Sequence, residues 1–172
     1  MAKAFIERLQ SSVKGQTEIE FQRHFRASPD ALFSCHTEAK LIQKWLTGPP
    51  AWVFERCKVD LRVGGTYLYI WSHPQNGRFG MMGFFKELET PFKIVNTEIF
   101  LPDPDQINQN AIDESLASWN WLSFTKDADR TLMKLVCRYP NADIRKTALD
   151  SGMSDGMEMS YQKLDQLLAG MK

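Results

Sequence analysis

The sequence has few of the residues from which catalytic and metal sites are usually built. It contains three histidines, His24, His36 and His73, scattered along the chain without the spacing of an HExxH or similar metal motif. It also lacks a GxSxG nucleophile elbow and a phosphate-binding glycine loop. We therefore expect no cofactor, no metal and no catalytic residue, and an enzyme is the less favoured class of protein.

Net charge and long hydrophobic runs are absent as well. Lys and Arg number 21 and Asp and Glu number 21, so no overall field attracts nucleic acid or anionic lipid. No stretch approaches the roughly 20 apolar residues of a membrane span, and the first residues lack the apolar core of a signal peptide.

The three cysteines, Cys35, Cys57 and Cys137, are odd in number and show no CxxC spacing, which indicates reduced thiols. We expect a cytoplasmic protein with no nucleic-acid partner.

The start of the chain predicts an arm, one strand and two short helices. Residues 1–16 are polar and poorly periodic, which fits a frayed arm or a short helix, and we place a single domain at 17–170. In the strand that follows, the alternation does not decide whether the face that carries Arg23 and Phe25 points inward. Ser28 is suited to cap a first helix, and a second helix runs from Thr37 as its cap to Trp45.

The rest of the chain predicts six strands and then helix. Alternating segments separated by turn residues predict strands at 52–60, 66–71, 79–87, 92–100, "SWNWLSFTK" and "RTLMKLVCRY". Apolar residues three or four apart then predict a short helix at 141–149 and a long one at 152–169. Neighbouring strands joined by short turns form an antiparallel sheet. We expect an α+β fold in which a strongly curved sheet of about seven strands grips the long helix over a cavity.

Four segments, taken together, resemble a known family. They are "RHFRASPDALFSCHTEAKLIQKWLTGP", "VDLRVGGTYLYIW", "GFFKELETPFKIVNTEIF" and "ADIRKTALDSGMSDGMEMSYQKLDQLLAG". In this order they resemble the START-like (SRPBCC, Bet v 1-like) superfamily with the helix-grip fold, in the branch related to the C-terminal domain of the activator of Hsp90 ATPase. The resemblance spans about residues 18–169 and implies a hydrophobic cavity. It implies no single activity, because members bind lipids, polyketides, steroids, flavonoids or other proteins.

The family register turns Tyr67, Tyr69 and Trp71 toward the long helix. Three amphipathic rings at alternate positions favour a pocket wall, although they could also fill the space under the helix as core. Arg62 either pairs with Asp60 across the turn or points inward to an anionic ligand group.

Other elements complete the expected pocket. The long helix adds Met153, Met157 and Tyr161, while Trp45 and Trp52 flank the "LTGPPA" loop that closes one end. Alternation turns Met133, Leu135 and Cys137 inward on the last strand, and places Trp119 and Trp121 on the outer face unless a bulge reverses the register. The predicted ligand-binding residues are Trp45, Trp52, Arg62, Tyr67, Tyr69, Trp71, Met81, Glu98, Asn120, Met133, Met153, Met157 and Tyr161.

Three functions remain open on the sequence. The first is binding of a small hydrophobic or aromatic molecule that is lipid-, polyketide- or flavonoid-like. The second, implied by the resemblance, is a protein-interaction module that stimulates the ATPase of an Hsp90-type chaperone. The third is a polyketide cyclase-like or hydrolase-like enzyme, with Glu98 as its base and Asn120 and Arg62 as orienting groups. A homodimer is compatible with the broad sheet and the two outer tryptophans.

Overall fold

The computed structural model describes residues 4–108 and 112–171, and in them an eight-stranded antiparallel sheet. The strands are β1 (Gln10–Lys14), β2 (Glu18–Phe25), β3 (Val53–Val59), β4 (Thr66–His73), β5 (Gly77–Glu89), β6 (Lys93–Leu101), β7 (Ser118–Asp127) and β8 (Arg130–Arg138). Their spatial order is β1-β2-β8-β7-β6-β5-β4-β3. The helices are α1 (Pro29–Thr37), α2 (Ala39–Trp45), α3 (Ala142–Asp150) and α4 (Met153–Gly170). The predicted α+β helix-grip fold is confirmed.

The eighth strand comes from the segment that was predicted to be an arm. Gln10–Lys14 forms β1 and pairs with β2 from Gln10 opposite Gln22 to Lys14 opposite Glu18. All five side chains of β1 are exposed, so the segment has no apolar alternation by which a strand is recognised. Its polar composition suits an edge strand, where exposed hydrophobic residues would promote aggregation.

The two short helices begin differently from each other. Ser28 caps α1 as predicted, because its hydroxyl accepts a hydrogen bond from the Ala31 N–H at 3.2 Å. The prediction that Thr37 caps α2 is wrong. Thr37 ends α1, its hydroxyl donates to the Phe33 carbonyl at 2.8 Å, and Glu38 stands at the start of α2 without a side-chain cap.

The core lies between the concave face of the sheet and the helices. Its main cluster packs Phe25 and Phe124 from the sheet against Leu164 and Leu168 of α4. A second cluster, centred on Ile19 and other residues of the sheet, lies under the first turns of α4. The cavity described below lies beside these clusters, between the sheet, α2 and α4.

A buried ion-pair network fastens α4 to β2. Arg23, only 3% exposed, faces inward and donates to both oxygens of Asp165, at 3.1 and 2.7 Å. Its Nε donates to Glu158 Oε2 at 3.1 Å, and the Leu9 N–H donates to the same oxygen at 2.8 Å. Burial raises the pKa of Glu158, but the bonds from Leu9 and Arg23 outweigh it and hold the pKa below its ordinary value. The guanidinium also lies 4.6 Å from the centre of the Phe25 ring.

Replacing Arg23 tests this network. We expect Arg23→Met to lower the free energy of unfolding by about 2–3 kcal/mol at pH 7, less than a fully buried pair would lose because Asp165 is partly exposed. A lowered carboxyl pKa contributes stability above the ordinary value of 4.5 and loses it as the pH falls through the folded-state value. The difference between parent and variant should therefore shrink on acidification.

Urea denaturation at pH 7 and near pH 3 measures both effects. Lys134→Met is the matched control, because Lys134 pairs with Glu20 and is itself 44% exposed, so we expect a change within about 0.5 kcal/mol. A difference for Arg23→Met that stays constant with pH would show that the carboxylates are not held by this side chain.

Candidate binding cavity

A cavity of two adjoining compartments lies between the sheet and α4. The larger has a volume of about 540 Å³ and is bounded by β4, β5, the first turns of α4 and the loop after α2. The smaller, of about 140 Å³, lies against α2 and the middle of the sheet, and we call it the inner end of the cavity. Leu46, Tyr69, Glu98, Asn120 and Leu135 line both compartments, which therefore share a wall.

Aromatic rings form the β4 wall of the cavity. Tyr67 and Tyr69 lie 4.9 Å apart between ring centres, and Tyr69 meets Trp71 edge-on at 6.2 Å. Trp71 is stacked between Phe54 at 4.8 Å and Phe79 at 5.0 Å. Because each large ring is held by its neighbours, the aromatic wall is rigid.

The loop after α2 closes the larger compartment, as the prediction for "LTGPPA" states. Leu46, Gly48, Pro49 and Pro50 line it. Gly48 has a φ of +70°, and a Cβ at this position would lie 2.8 Å from the indole of Trp71. Only glycine allows the loop to approach the aromatic wall so closely.

Polar side chains gather where the two compartments meet. The Tyr67 hydroxyl donates to the Thr97 carbonyl at 2.8 Å, accepts from Asn96 Nδ2 at 3.0 Å and lies 3.5 Å from Glu98 Oε2. Burial raises the pKa of Glu98 above its ordinary value, and hydrogen bonds from Tyr67 and Asn120 reverse only part of the shift. The site thus holds an acid that resists ionisation.

His36 also lines the smaller compartment. Its ring lies 4.8 Å from Trp45 and 5.1 Å from Phe124, and burial lowers its pKa to about 4. Since Nδ1 is 2.7 Å from the Leu32 carbonyl, which only accepts, Nδ1 carries the proton. Nε2 is therefore an acceptor at neutral pH. The sequence reading found no role for His36, because no spacing pattern marks it.

Ten of the thirteen predicted ligand-binding residues line the cavity. Trp71, Met81, Met153 and Met157 line the larger compartment only; Trp45, Tyr67 and Tyr161 line the smaller compartment only; Tyr69, Glu98 and Asn120 line both. The structure therefore brings together residues from α2, four strands of the sheet and α4.

The other three, Trp52, Arg62 and Met133, do not line either compartment. Arg62 is exposed on the turn before β4, where its Nε donates to Asp60 Oδ2 at 2.9 Å. Trp52 packs edge-on against Phe79 with ring centres 4.8 Å apart and does not reach either compartment. Met133 faces inward but is fully buried, because at its position opposite Phe124 the helices pack directly on the sheet.

Several lining residues were not among those predicted to bind ligand. Leu135 and Cys137 were expected to face inward but were not assigned to the site, and Phe79 and Asn96 were missed. Alternation with Met81 could have identified Phe79, since the two lie on the same face of β5. Nothing in the sequence marks Asn96, whose role depends on the Tyr67 hydroxyl of another strand.

The outer face of the sheet carries Trp119 and Trp121, as the strand alternation predicts. Their rings are stacked, with centres 5.9 Å apart. The guanidinium of Arg138 lies 4.7 Å from the centre of the Trp121 ring, and the Lys86 ammonium 5.9 Å from that of Trp119. This cationic and aromatic surface is on the side of the sheet opposite the cavity.

Within 4–108 and 112–171, no cluster of three or more His, Cys, Asp or Glu side chains is arranged to hold a metal ion. Among the same residues, no helix is long and apolar enough to cross a membrane. The three cysteines are free.

A curved antiparallel sheet that grips one long helix over a cavity defines the helix-grip fold of the START-like superfamily. The family model described as "Activator of Hsp90 ATPase homolog 1-like protein" matches residues 26–169, and the chain belongs to this family. No curated protein matches the chain.

Solved structures share the fold at low sequence identity. A protein from Rhodobacter sphaeroides superimposes with a TM-score of 0.82 at 23% identity, over 95% of this chain and 99% of that one. A protein from Mycobacterium smegmatis gives a TM-score of 0.78 at 20% identity, over 95% and 96%. An Hsp90 activator from Plasmodium falciparum gives 0.56 at 20% identity, over 81% and 89%. At these identities the comparisons show the fold alone.

The buried acid of the cavity leads to a prediction about stability. A raised carboxyl pKa means that the folded state holds its proton more tightly than the unfolded chain, so Glu98 costs stability as the pH rises above its ordinary value of 4.5. We expect Glu98→Gln to raise the free energy of unfolding at pH 7 by about 1 kcal/mol and to have little effect near pH 4.

Urea denaturation across this pH range makes the measurement, with Glu89→Gln at the exposed end of β5 as the control. A gain for Glu98→Gln that is equal at both pH values would mean that Glu98 ionises normally in the folded protein.

Proposed function

We propose that the protein binds one small, largely apolar aromatic molecule in the cavity between the sheet and α4. The observation that carries this proposal is the larger compartment, whose volume of about 540 Å³ lies in the range of small-molecule sites. Its walls are aromatic and methionine side chains with a few polar groups, which is the usual composition of such sites.

Partial exposure of some wall residues supports a binding site over ordinary core, although other lining rings are buried. Leu164 and Met133, where the helices pack directly on the sheet, have no exposed surface. Tyr69, Met81 and Met157, in contrast, line the cavity and retain partial exposure. Side chains that merely filled the space under α4 would be sealed as Leu164 is.

The wall opposite the aromatic rings is adaptable. Met153 and Met157 on α4 line the larger compartment across from Trp71. Methionine has three rotatable side-chain bonds and a polarizable sulfur, so it can adjust to aromatic ligands of different outline. A rigid aromatic wall facing a flexible thioether wall favours planar molecules.

Filling the cavity tests the proposal. We expect the neutral probe N-phenyl-1-naphthylamine to bind the parent saturably, with enhanced probe fluorescence and one molecule per chain. Leu135→Trp places an indole in both compartments and should weaken this binding at least about tenfold, while the open space limits the loss of stability.

The control is Thr125→Trp, which adds the same ring at an exposed position of β7 outside the cavity and should leave the probe affinity unchanged. Thermal unfolding of both variants verifies that they remain folded. Equal probe affinity in the parent and in Leu135→Trp would place the probe outside the cavity and remove support for the proposal.

A second candidate function is contact with an Hsp90-type chaperone. The family description and the Plasmodium Hsp90 activator among the similar structures suggest it. The specific observation in its favour is the stacked pair of Trp119 and Trp121, partly exposed beside Lys86 and Arg138. Aromatic and arginine side chains are enriched in protein interfaces.

An ATPase assay tests this second function. If the outer face engages a chaperone, an excess of this protein should raise the hydrolysis rate of an Hsp90-type ATPase severalfold, and Trp121→Ser should abolish most of the increase. Leu135→Trp, which alters the cavity on the opposite face, should stimulate as well as the parent. An unchanged hydrolysis rate at high excess would eliminate this candidate.

A further inference from the structure

Three polar atoms at the cavity are buried and lack a hydrogen-bond partner among residues 4–108 and 112–171. They are Asn120 Oδ1, His36 Nε2 and Trp71 Nε1. Folded proteins pair nearly all of their buried polar atoms, so a group of unpaired ones around one cavity indicates where a ligand makes its hydrogen bonds. The kind of each atom then indicates the chemistry of that ligand.

Asn120 provides an acceptor where the two compartments meet. The residue is 8% exposed and lies on β7 opposite Asn96 of β6. Its side chain donates a hydrogen bond to the Glu98 carboxyl, which assigns the donating end of the amide. The carbonyl end, Oδ1, is left to accept from a molecule in the cavity.

His36 provides a second acceptor in the smaller compartment. Its Nδ1 donates to the Leu32 carbonyl, so the unpaired Nε2 carries a lone pair. The Tyr67 hydroxyl, which also lines this compartment, already donates to the Thr97 carbonyl. The inner end of the cavity therefore calls for a ligand that donates hydrogen bonds.

The charges at the cavity disfavour an anion. Among the lining residues that the structure describes there is no lysine or arginine, and Glu98 is the one carboxyl. Arg23 is engaged by Glu158 and Asp165, and Arg62 lies outside on its turn. A ligand carboxylate at the inner end would meet Glu98 and two acceptor lone pairs without a compensating cation, which is costly away from water.

We infer that the ligand is a neutral hydroxylated aromatic molecule, a phenol in the simplest case, whose hydroxyl donates to Asn120 Oδ1, and that the cavity discriminates against carboxylates such as free fatty acids. Its ring lies against Tyr69 and Trp71. The Trp71 N–H, also without a partner among the described residues, belongs to a side chain that lines the larger compartment. This inference rests on the proposed function and specifies the class of ligand.

Three probes of similar shape separate the contribution of the aromatic ring from those of a hydroxyl and of a carboxylate. They are naphthalene, 2-naphthol and 2-naphthoate, each titrated calorimetrically at pH 7. The hydroxyl should make 2-naphthol bind about tenfold more tightly than naphthalene, because it satisfies a buried acceptor. The anionic 2-naphthoate should bind at least about tenfold more weakly than 2-naphthol.

The variant Asn120→Leu removes the acceptor and keeps a side chain of similar size. It should abolish the advantage of 2-naphthol while leaving the affinity for naphthalene nearly unchanged. Asn76→Leu, in the exposed turn between β4 and β5, is the matched control and should bind all three probes as the parent does. If Asn120→Leu fails to fold, the order of affinity of the parent for the three probes still tests the inferred ligand class.

The results distinguish a failure of the proposed binding function from a failure of the inferred ligand class. Binding of none of the three probes overturns the proposed function and this inference with it. Binding of naphthalene with no preference for 2-naphthol, or tighter binding of 2-naphthoate, overturns the inference and leaves the binding function standing. A preference for 2-naphthol that survives in Asn120→Leu refutes the assigned acceptor.

Discussion

The ion-pair network of Arg23 is the interaction on which the shape of the cavity depends. Arg23 joins β2 to Glu158 and Asp165, two positions seven residues apart on α4. This fastens the middle of the helix to β2, close to the packed core of Leu164 and Leu168. The first turns, which carry Met153 and Met157, pack on the Ile19 cluster and also line the larger compartment. A cavity forms where the curved sheet and the helix do not pack directly on each other.

The cavity combines two environments that a simple core would not. Its larger compartment is bounded by stacked rings and thioethers, which favour an apolar planar molecule. At the junction with the smaller one, Glu98, Asn120 and Tyr67 form a polar group in which burial raises the pKa values of both Glu98 and Tyr67. Buried polar atoms without partners cost free energy, and a site that recognises a polar group on its ligand accepts this cost before binding.

The two candidate functions use opposite faces of one sheet. Side chains alternate along a strand, so on β7 Asn120 and Leu122 line the cavity while Trp119 and Trp121 lie on the outer surface. A ligand inside and a protein outside would therefore contact different residues of the same strands. Membership in the family is compatible with either function, because the comparisons establish the fold and leave the site to be judged from its own chemistry.

The sequence by itself determined the order of the elements, the antiparallel sheet and that Tyr67, Tyr69 and Trp71 share one face of a strand, because strand and helix periodicities and turn residues are local signals. That this face points toward the long helix was implied by the family resemblance. The sequence missed β1, whose polar side chains carry no such period, and it left Arg23 undecided, because a buried arginine is stable only with partners 135 and 142 residues away. Only the tertiary structure decided that Arg62 lies outside the cavity and that Met133 is packed in the core. It also brings Asn96, Asn120 and His36 together as lining residues of the smaller compartment. These outcomes depend on where the curvature of the sheet separates it from α4, a distance that no local pattern encodes.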